Sequence, residues 1–338
     1  VEIATHGLLS LAIARAFFPR GGWPVLLATL ASGTLADADL LSVFFGPSAY
    51  LTLHHTFTHS LPGTVIVVVA SVVIAFFARR REPLVFTTLF LAASVAAIAH
   101  LFLDLCQSDG ITLLWPFRST RIAGDFISSS DFWLLGLLLA GILLPELFRL
   151  VSTEIGAKKN APRGRNGAIA VLAALIVYIG VHALFHQRAM STLEAHTYHG
   201  ESSRHSAAFP DTLSLFRWHG LVDATSAICQ IEIPIGTQKN FDPEALTCLH
   251  KPEPSPELAA AVATPTARRL LQAIRFPRAA VQKNTPRQNV DEFEITIRSL
   301  ADPAAGLNDH SVGAQIVLDA NAHVLDEELL WARYLRVR

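Results

Sequence analysis

Charge is what this sequence has least of. Only 16% of its 338 residues are charged, where an average soluble domain carries roughly 25%, and that deficit argues against an ordinary cytosolic enzyme. An excess of either sign is missing too: 27 Lys and Arg face 28 Asp and Glu, a net charge of −1. No basic field exists to hold nucleic acid and no acidic block forms a solvating tail, so nucleic acid is not an expected partner. Cysteine is rare, and Cys106, Cys229 and Cys248 show neither a CxxC pair nor zinc-finger spacing. A metal bound here must therefore be held by His and carboxylate groups. There is no internal repeat, P-loop, dinucleotide fingerprint or GxSxG motif, which leaves ATPase, dehydrogenase and serine-esterase readings without support. What is abundant is apolar residues, 51% of the chain, together with 14 histidines.

The apolar residues are unevenly placed, and the chain divides near residue 186. Residues 1–186 hold 12 Lys/Arg and 10 Asp/Glu in short clusters between apolar runs, whereas 187–338 hold 15 and 18, spread evenly. Crossing the hydrocarbon core takes roughly 20 largely apolar residues. Leu61–Ala78, Leu84–Cys106, Phe132–Val151 and Ala168–Phe185 qualify, Trp23–Phe45 qualifies although it carries Asp37 and Asp39, and Ile3–Phe18 is short. The last does not read as a signal peptide, because Arg15 and Arg20 follow its apolar stretch and do not precede it. The expectation is an all-α polytopic domain of about six transmembrane helices over 1–186, followed by a soluble α+β domain over 187–338.

Lys and Arg in short loops set orientation. Arg15, Arg20, Arg79, Arg80, Arg81, Arg149, Lys158, Lys159, Arg163 and Arg165 fall on one side; only Arg118 and Arg121 fall on the other. Ten against two makes the first side cytoplasmic and the C-terminal domain extracytoplasmic. Ionisable groups in membrane helices cost about 2.5–3.5 kcal/mol on insertion scales and usually line a site. By this orientation His6, Asp37, Asp39, His54, His55, His59, His100 and Asp104 all gather toward the outer side, followed by Asp109, Asp125 and Asp131. His100 and Asp104, at i and i+4, share one helix ridge and can meet one metal. Asp37 and Asp39, at i and i+2, diverge on a helix, so one of the two is expected as a ligand. Imidazoles and carboxylates without thiolates suit a divalent metal, zinc first, with manganese or iron also open.

Thr5-His6-Gly7, Leu35-Ala-Asp37-Ala-Asp39, His54-His-Thr-Phe-Thr58-His59-Ser60, His100-Leu-Phe-Leu-Asp104 and Leu114-Trp-Pro-Phe117, with Asp125 and Asp131 after them, resemble the YdjM-like family of bacterial inner-membrane proteins. That family is described as membrane-bound metal-dependent hydrolases. The likeness covers about residues 1–150; His55 stands where the family usually has Arg, and Phe132 where Pro commonly follows the Asp. The order of ligands is also remotely similar to the zinc-dependent phospholipase C and nuclease superfamily. That likeness implies one to three metal ions, with Asp104 bridging two of them. It sets Asp37 or Asp39, His59 and His100 on one ion and His6 on the other, with Asp104 and His59 in the catalytic roles. The implied chemistry is metal-assisted hydrolysis of a phosphoester or other ester at lipid headgroup level, with the bilayer and its phospholipids as partners. Asp109, Trp115, Arg118, Arg121, Asp125 and Asp131 are candidates for substrate contact or for support of the ligands; the aromatics and arginines serve equally as an interfacial anchor.

In 187–338, Val222–Ile235, Phe293–Arg298 and Gly313–Leu318 read as strands of an antiparallel sheet. Pro256–Ile274 reads as one helix despite Pro265, with a start at Pro265 as the alternative, and Leu325–Leu335 as a final helix. Cys229 and Cys248 both fall in the oxidising compartment by this orientation, where a disulfide between them is open to form if their geometry permits it. Two other functions compete with a hydrolase: a metal-handling or transport protein using the same ligands, and a non-enzymatic membrane scaffold for the C-terminal domain.

Overall fold

The computed structural model describes residues 3–79, 85–154, 164–198, 200–236, 241–284, 292–300 and 312–330. Arg80, Arg81, Lys158, Lys159 and Arg163, half of the basic residues that set the expected orientation, lie outside the described residues. Contacts divide the chain into two units, one of 1–40 with 54–185 and one of 41–53 with 186–338.

The first unit is helical. Its helices are α1 (Ile3–Phe17), α2 (Gly22–Thr34), α4 (Leu61–Ala78), α5 (Phe86–Leu105), α6 (Phe132–Glu154) and α7 (Arg165–Glu194), the last running on into the second unit; the short α3 (Pro47–Leu53) belongs to the second unit. Among the described residues three helices, α4, α5 and α7, are long and apolar enough to cross a membrane. α2 and the 3-10 helix Ala36–Phe45 that follows it make a fourth if counted as one span bent by 49°, while α1 and Phe132–Phe148 are shorter apolar helices. The expected straight span Trp23–Phe45 is therefore broken at Leu35, where tighter 3-10 turns begin with Asp37 and Asp39 in the first turn.

Side chains are sorted in the manner of a membrane bundle. Large apolar groups such as Val65, Val69, Phe77, Phe90, Ile98, Ile176 and Leu184 face outward, and small ones, Ala28, Ser71, Ala75, Ala92, Ala93, Ala96 and Ala97, are buried between helices. Lipid does not penalise the exposed apolar atoms, and small residues let backbones approach closely. α5 is central: Leu89, Ala92, Ala93 and Ala97 pack on α2 and α4, and Leu103 packs with Leu9 and Ile13 of α1, Leu134 and Leu138 of α6 and Val171 and Leu175 of α7. Gly33 makes the α1–α2 approach possible, since a Cβ there would lie 1.7 Å from Ser10 Oγ.

Among the described residues the second unit holds two four-stranded antiparallel sheets. The first is β1 (His205–Pro210), β2 (Arg217–Asp223), β3 (Ala227–Pro234) and β4 (Leu246–His250); the second is β5 (Pro277–Asn284), β6 (Glu292–Ser299), β7 (Gly313–Asp319) and β8 (Val324–Leu330). The helices α8 (Pro256–Ala263) and α9 (Pro265–Ala273) come between them in sequence. The expected strand Val222–Ile235 is two arms of a hairpin, β2 and β3, because apolar alternation runs on either side of a turn at 224–226 that lacks Gly and Pro. The single helix expected over Pro256–Ile274 is two helices, because Thr264 takes an extended backbone that ends α8 and its hydroxyl caps α9 by accepting the Ala267 N–H. The expected helix from Leu325 is instead strand β8, paired to β7, and the remainder of that stretch lies outside the described residues. Cross-strand pairing outweighs the helical preference of a Leu/Glu-rich segment. Cys229 and Cys248 face each other across β3 and β4 and are disulfide-bonded.

Candidate metal centre

Four stretches of the first unit bring acid and imidazole groups together. α1 delivers His6, the 3-10 helix Asp37 and Asp39, the loop before α4 the histidines, and α5 His100 and Asp104. His6, Asp37, His55, His59, His100 and Asp104 are all buried, each 7% exposed or less. The His loop turns tightly onto the start of α4: Ser60 accepts the Gly63 N–H as its cap, and a Cβ at Gly63 would overlap Phe57 O at 1.8 Å.

Two groups of ligand atoms result, each within 4.8 Å of one another: His6, Asp37, His100 and Asp104, and His55, His59 and Asp104. Asp104 is common to both. The grouping differs from the arrangement implied by the ligand order, because His6 joins His100 and Asp37 and does not stand apart from them.

Whether these residues suit a cation is decided by their hydrogen bonds. A carbonyl only accepts, so His100 donates through Nδ1 to Gly33 O at 3.0 Å; a neutral His100 then presents a lone pair at Nε2. His59 Nδ1 lies 3.0 Å from the Thr58 hydroxyl oxygen, which gives its own proton to Asp39 Oδ2 and so accepts from the ring; a neutral His59 then presents its lone pair at Nε2 as well. These two Nε2 atoms are 3.1 Å apart. Asp104 Oδ2 stands 3.0 Å from His100 Nε2 and 3.3 Å from His59 Nε2, and Asp37 Oδ1 is 3.6 and 3.7 Å from the same two nitrogens. With both imidazoles neutral, four buried acceptors converge with no donor among them. Ligand atoms around a tetrahedral zinc with bonds of about 2.0–2.1 Å lie about 3.3 Å apart, and the observed spacings bracket that value. His6 Nδ1, Asp37 Oδ2 and His55 Nδ1 are also buried without a hydrogen-bond partner among the described residues, a cost of roughly 1–3 kcal/mol each that a cation would relieve. The donor set fits a divalent metal.

The supporting contacts separate Asp39 from Asp37. Asp39 Oδ1 accepts from His54 Nδ1 at 3.0 Å, and Oδ2 accepts the His55 N–H at 2.9 Å and the Thr58 hydroxyl at 2.9 Å, beside its contact with His59. Asp39 therefore organises the His loop, and Asp37 is the acid that reaches the ligand cluster. His54 stacks on His55 with ring centroids 4.0 Å apart and belongs to neither ligand group. His55 has a left-handed backbone, φ 57°, fixed by the Thr112 N–H and hydroxyl on its carbonyl; such conformations collect at functional sites. Sequence reading passed over Gln107, whose amide donates to Asp104 Oδ1; its position at i+3 from Asp104 on a helix end was the available signal.

The other six candidates fall outside both groups. Asp131 caps α6 through the Leu134 N–H and accepts the Tyr178 hydroxyl at 2.8 Å. Asp109 accepts from Ser129. Arg121 donates to His54 O and Gly110 O, so it braces the His loop. Trp115 meets Phe57 edge to face at 5.5 Å, Arg118 is exposed, and Asp125 is buried with φ 62°.

Residues 1–189 match the sequence model of the YdjM inner membrane protein family. The chain belongs to the YdjM inner membrane protein family. It is therefore a membrane protein, and the matched region contains every residue of both ligand groups. Uncharacterized protein YfhP of Bacillus subtilis (strain 168) is 26% identical over 131 residues, 38% of this chain and 39% of that protein. The chain thus spans about two fifths of the length of that curated relative. No solved structure matches it.

Proposed function

We propose that this protein is an integral-membrane, metal-dependent hydrolase that cleaves a phosphoester or other ester at lipid headgroup level. The observation that carries the reading is the convergence of His59 Nε2, His100 Nε2, Asp104 Oδ2 and Asp37 Oδ1, four acceptors 3.0–3.7 Å apart in the pairs measured, in a buried site. Zinc is the favoured ion for such ligands, with manganese or iron next. The chemistry a divalent cation supplies when bound is Lewis acidity, acidifying a water and offsetting charge on the leaving oxygen. Asp104 belongs to both ligand groups and is held by Gln107, which suits it to bridge them. Gly33 O fixes the tautomer of His100, and Thr58, itself held by Asp39, that of His59, so that Nε2 of each faces the centre.

In this proposal the chain crosses the membrane six times, counting α1 and α6, with the centre near the outer leaflet and the second unit outside the cytoplasm. The Lys/Arg asymmetry and the Cys229–Cys248 disulfide support that placement. The bilayer supplies both the surroundings and the phospholipid substrate.

The deciding experiment is elemental analysis of detergent-purified protein beside a His100→Ala/Asp104→Ala variant of equal helicity. The expected result is one or two equivalents of zinc, manganese or iron in the wild type, lost in the variant. Release of headgroup phosphate from phosphatidylglycerol vesicles should disappear with it. Wild-type protein that neither contains nor takes up any of the three metals would overturn the proposal.

A further inference from the structure

The two ligand-bearing stretches on either side of α3 are joined by a segment that belongs to the other unit. Unit 1 leaves off at Leu40, just after Asp37 and Asp39, and resumes at His54, just before His55 and His59; the thirteen residues Leu41–Leu53 between them pack with the C-terminal unit. There α3 lies against α9 and β8. Leu51 packs on the core formed by Ala261, Ala267, Leu270, Ile295, Ile316 and their neighbours. Arg269 of α9 donates to Ser48 Oγ at 3.0 Å, and α9 is tied to β8 by the Thr266 N–H on Glu327. A connector free in solvent would need none of these contacts.

We infer that the C-terminal unit is a clamp on the metal centre: by gripping Leu41–Leu53 it restrains both ends of the connector and so holds Asp37 and Asp39 in register with His55 and His59. The inference rests on the reading of the cluster as a metal site and assigns the second unit a positioning role for it. The covalent link is short. Asp39 is two residues from the start of the gripped segment, and His54 follows directly on its end. Ordering that segment in advance removes conformational freedom the ligands would otherwise lose on binding metal. Coupling of this kind is reciprocal: if the grip favours metal binding, metal binding must tighten the grip.

Both directions can be measured on the full-length protein in detergent. In the wild type, adding zinc should slow amide hydrogen exchange in α3 and in α9. A Leu51→Ala/Arg269→Ala variant should exchange faster over 41–53 and bind zinc at least tenfold more weakly in equilibrium dialysis, with the same number of ions at saturation. Leu51→Met with Arg269 retained, which keeps the core contact, should restore wild-type affinity. Zinc binding that leaves exchange in α3 and α9 unchanged would overturn the clamp, as would faster exchange over 41–53 with unaltered affinity. In either case the metal reading would stand. Wild-type protein that binds no zinc, manganese or iron would instead remove the metal reading itself and the clamp with it.

Discussion

Asp37 and Asp39 show how two like residues, two positions apart, acquire different work. Asp37 reaches toward His59 and His100 and keeps one buried oxygen without a hydrogen-bond partner among the described residues; Asp39 is surrounded by donors from the His loop. Replacing Asp39 by Asn keeps the shape but removes one of the acceptors shared by His54, the His55 N–H and Thr58, so the Thr58 hydroxyl that receives the His59 Nδ1 proton is no longer held in place. Loss of such an outer partner typically costs about 10–100-fold in metal affinity, and Asp39→Asn should show that loss with the number of bound ions unchanged. Asp37→Asn should instead lower the number of ions held at saturation. Equilibrium dialysis with zinc separates the two, and equal effects on stoichiometry would refute the division of roles. The sequence made both acids visible as candidates through their cost in an apolar helix. It left their roles open because the i, i+2 spacing has a definite meaning only on a known helix, and here α-helix gives way to 3-10 helix just before Asp37. His100 and Asp104 were readable without ambiguity, since both lie on one uninterrupted helix.

At the scale of elements, legibility followed how local the signal was. α4 and α5 announce themselves as long apolar runs, and the Ser60 cap marks where α4 begins. Strands β1, β4 and β5 went unread because a short strand is stabilised by its neighbours across the sheet and not by its own residues. The β1–β2 turn gives a test at this scale. Burial works against ionising Asp211, yet the N–H groups of Leu213 and Ser214, then His219 and Arg217, outweigh it and hold the carboxyl down at about 2. A carboxyl depressed in the folded state contributes stability that is fully present above its unfolded value of about 3.9 and is lost as pH falls toward 2. Thermal melts of the full-length protein should therefore show a falling Tm between pH 4 and pH 2, with a shallower slope in Asp211→Asn. Identical slopes would mean the turn does not use the charge.

For the whole molecule, nothing local in the sequence could show that residues 41–53 pack with residues 186–338. That pairing is set by Leu51 and Ser48 meeting α9 more than 200 residues away in sequence. The orientation of the chain has its own test in the disulfide. Cys229 and Cys248 are 19 residues apart and join β3 to β4 in the second unit. A disulfide in a unit facing the cytoplasm would be kept reduced by the thiol pool, and one outside would persist. Alkylating intact cells and then the denatured protein, with and without reductant, should show both thiols blocked until reductant is added, while Cys106 reacts after denaturation in either case. If Cys229 and Cys248 are found reduced during growth, the C-terminal unit lies on the cytoplasmic side. The Lys/Arg asymmetry is then the misread signal, and the metal centre opens toward the inner leaflet. With the pair oxidised, Cys229→Ser/Cys248→Ser should cost about 2–5 kcal/mol of stability, the usual loss for a bridge in a small extracellular unit. That loss would appear as a lower melting transition for the second unit.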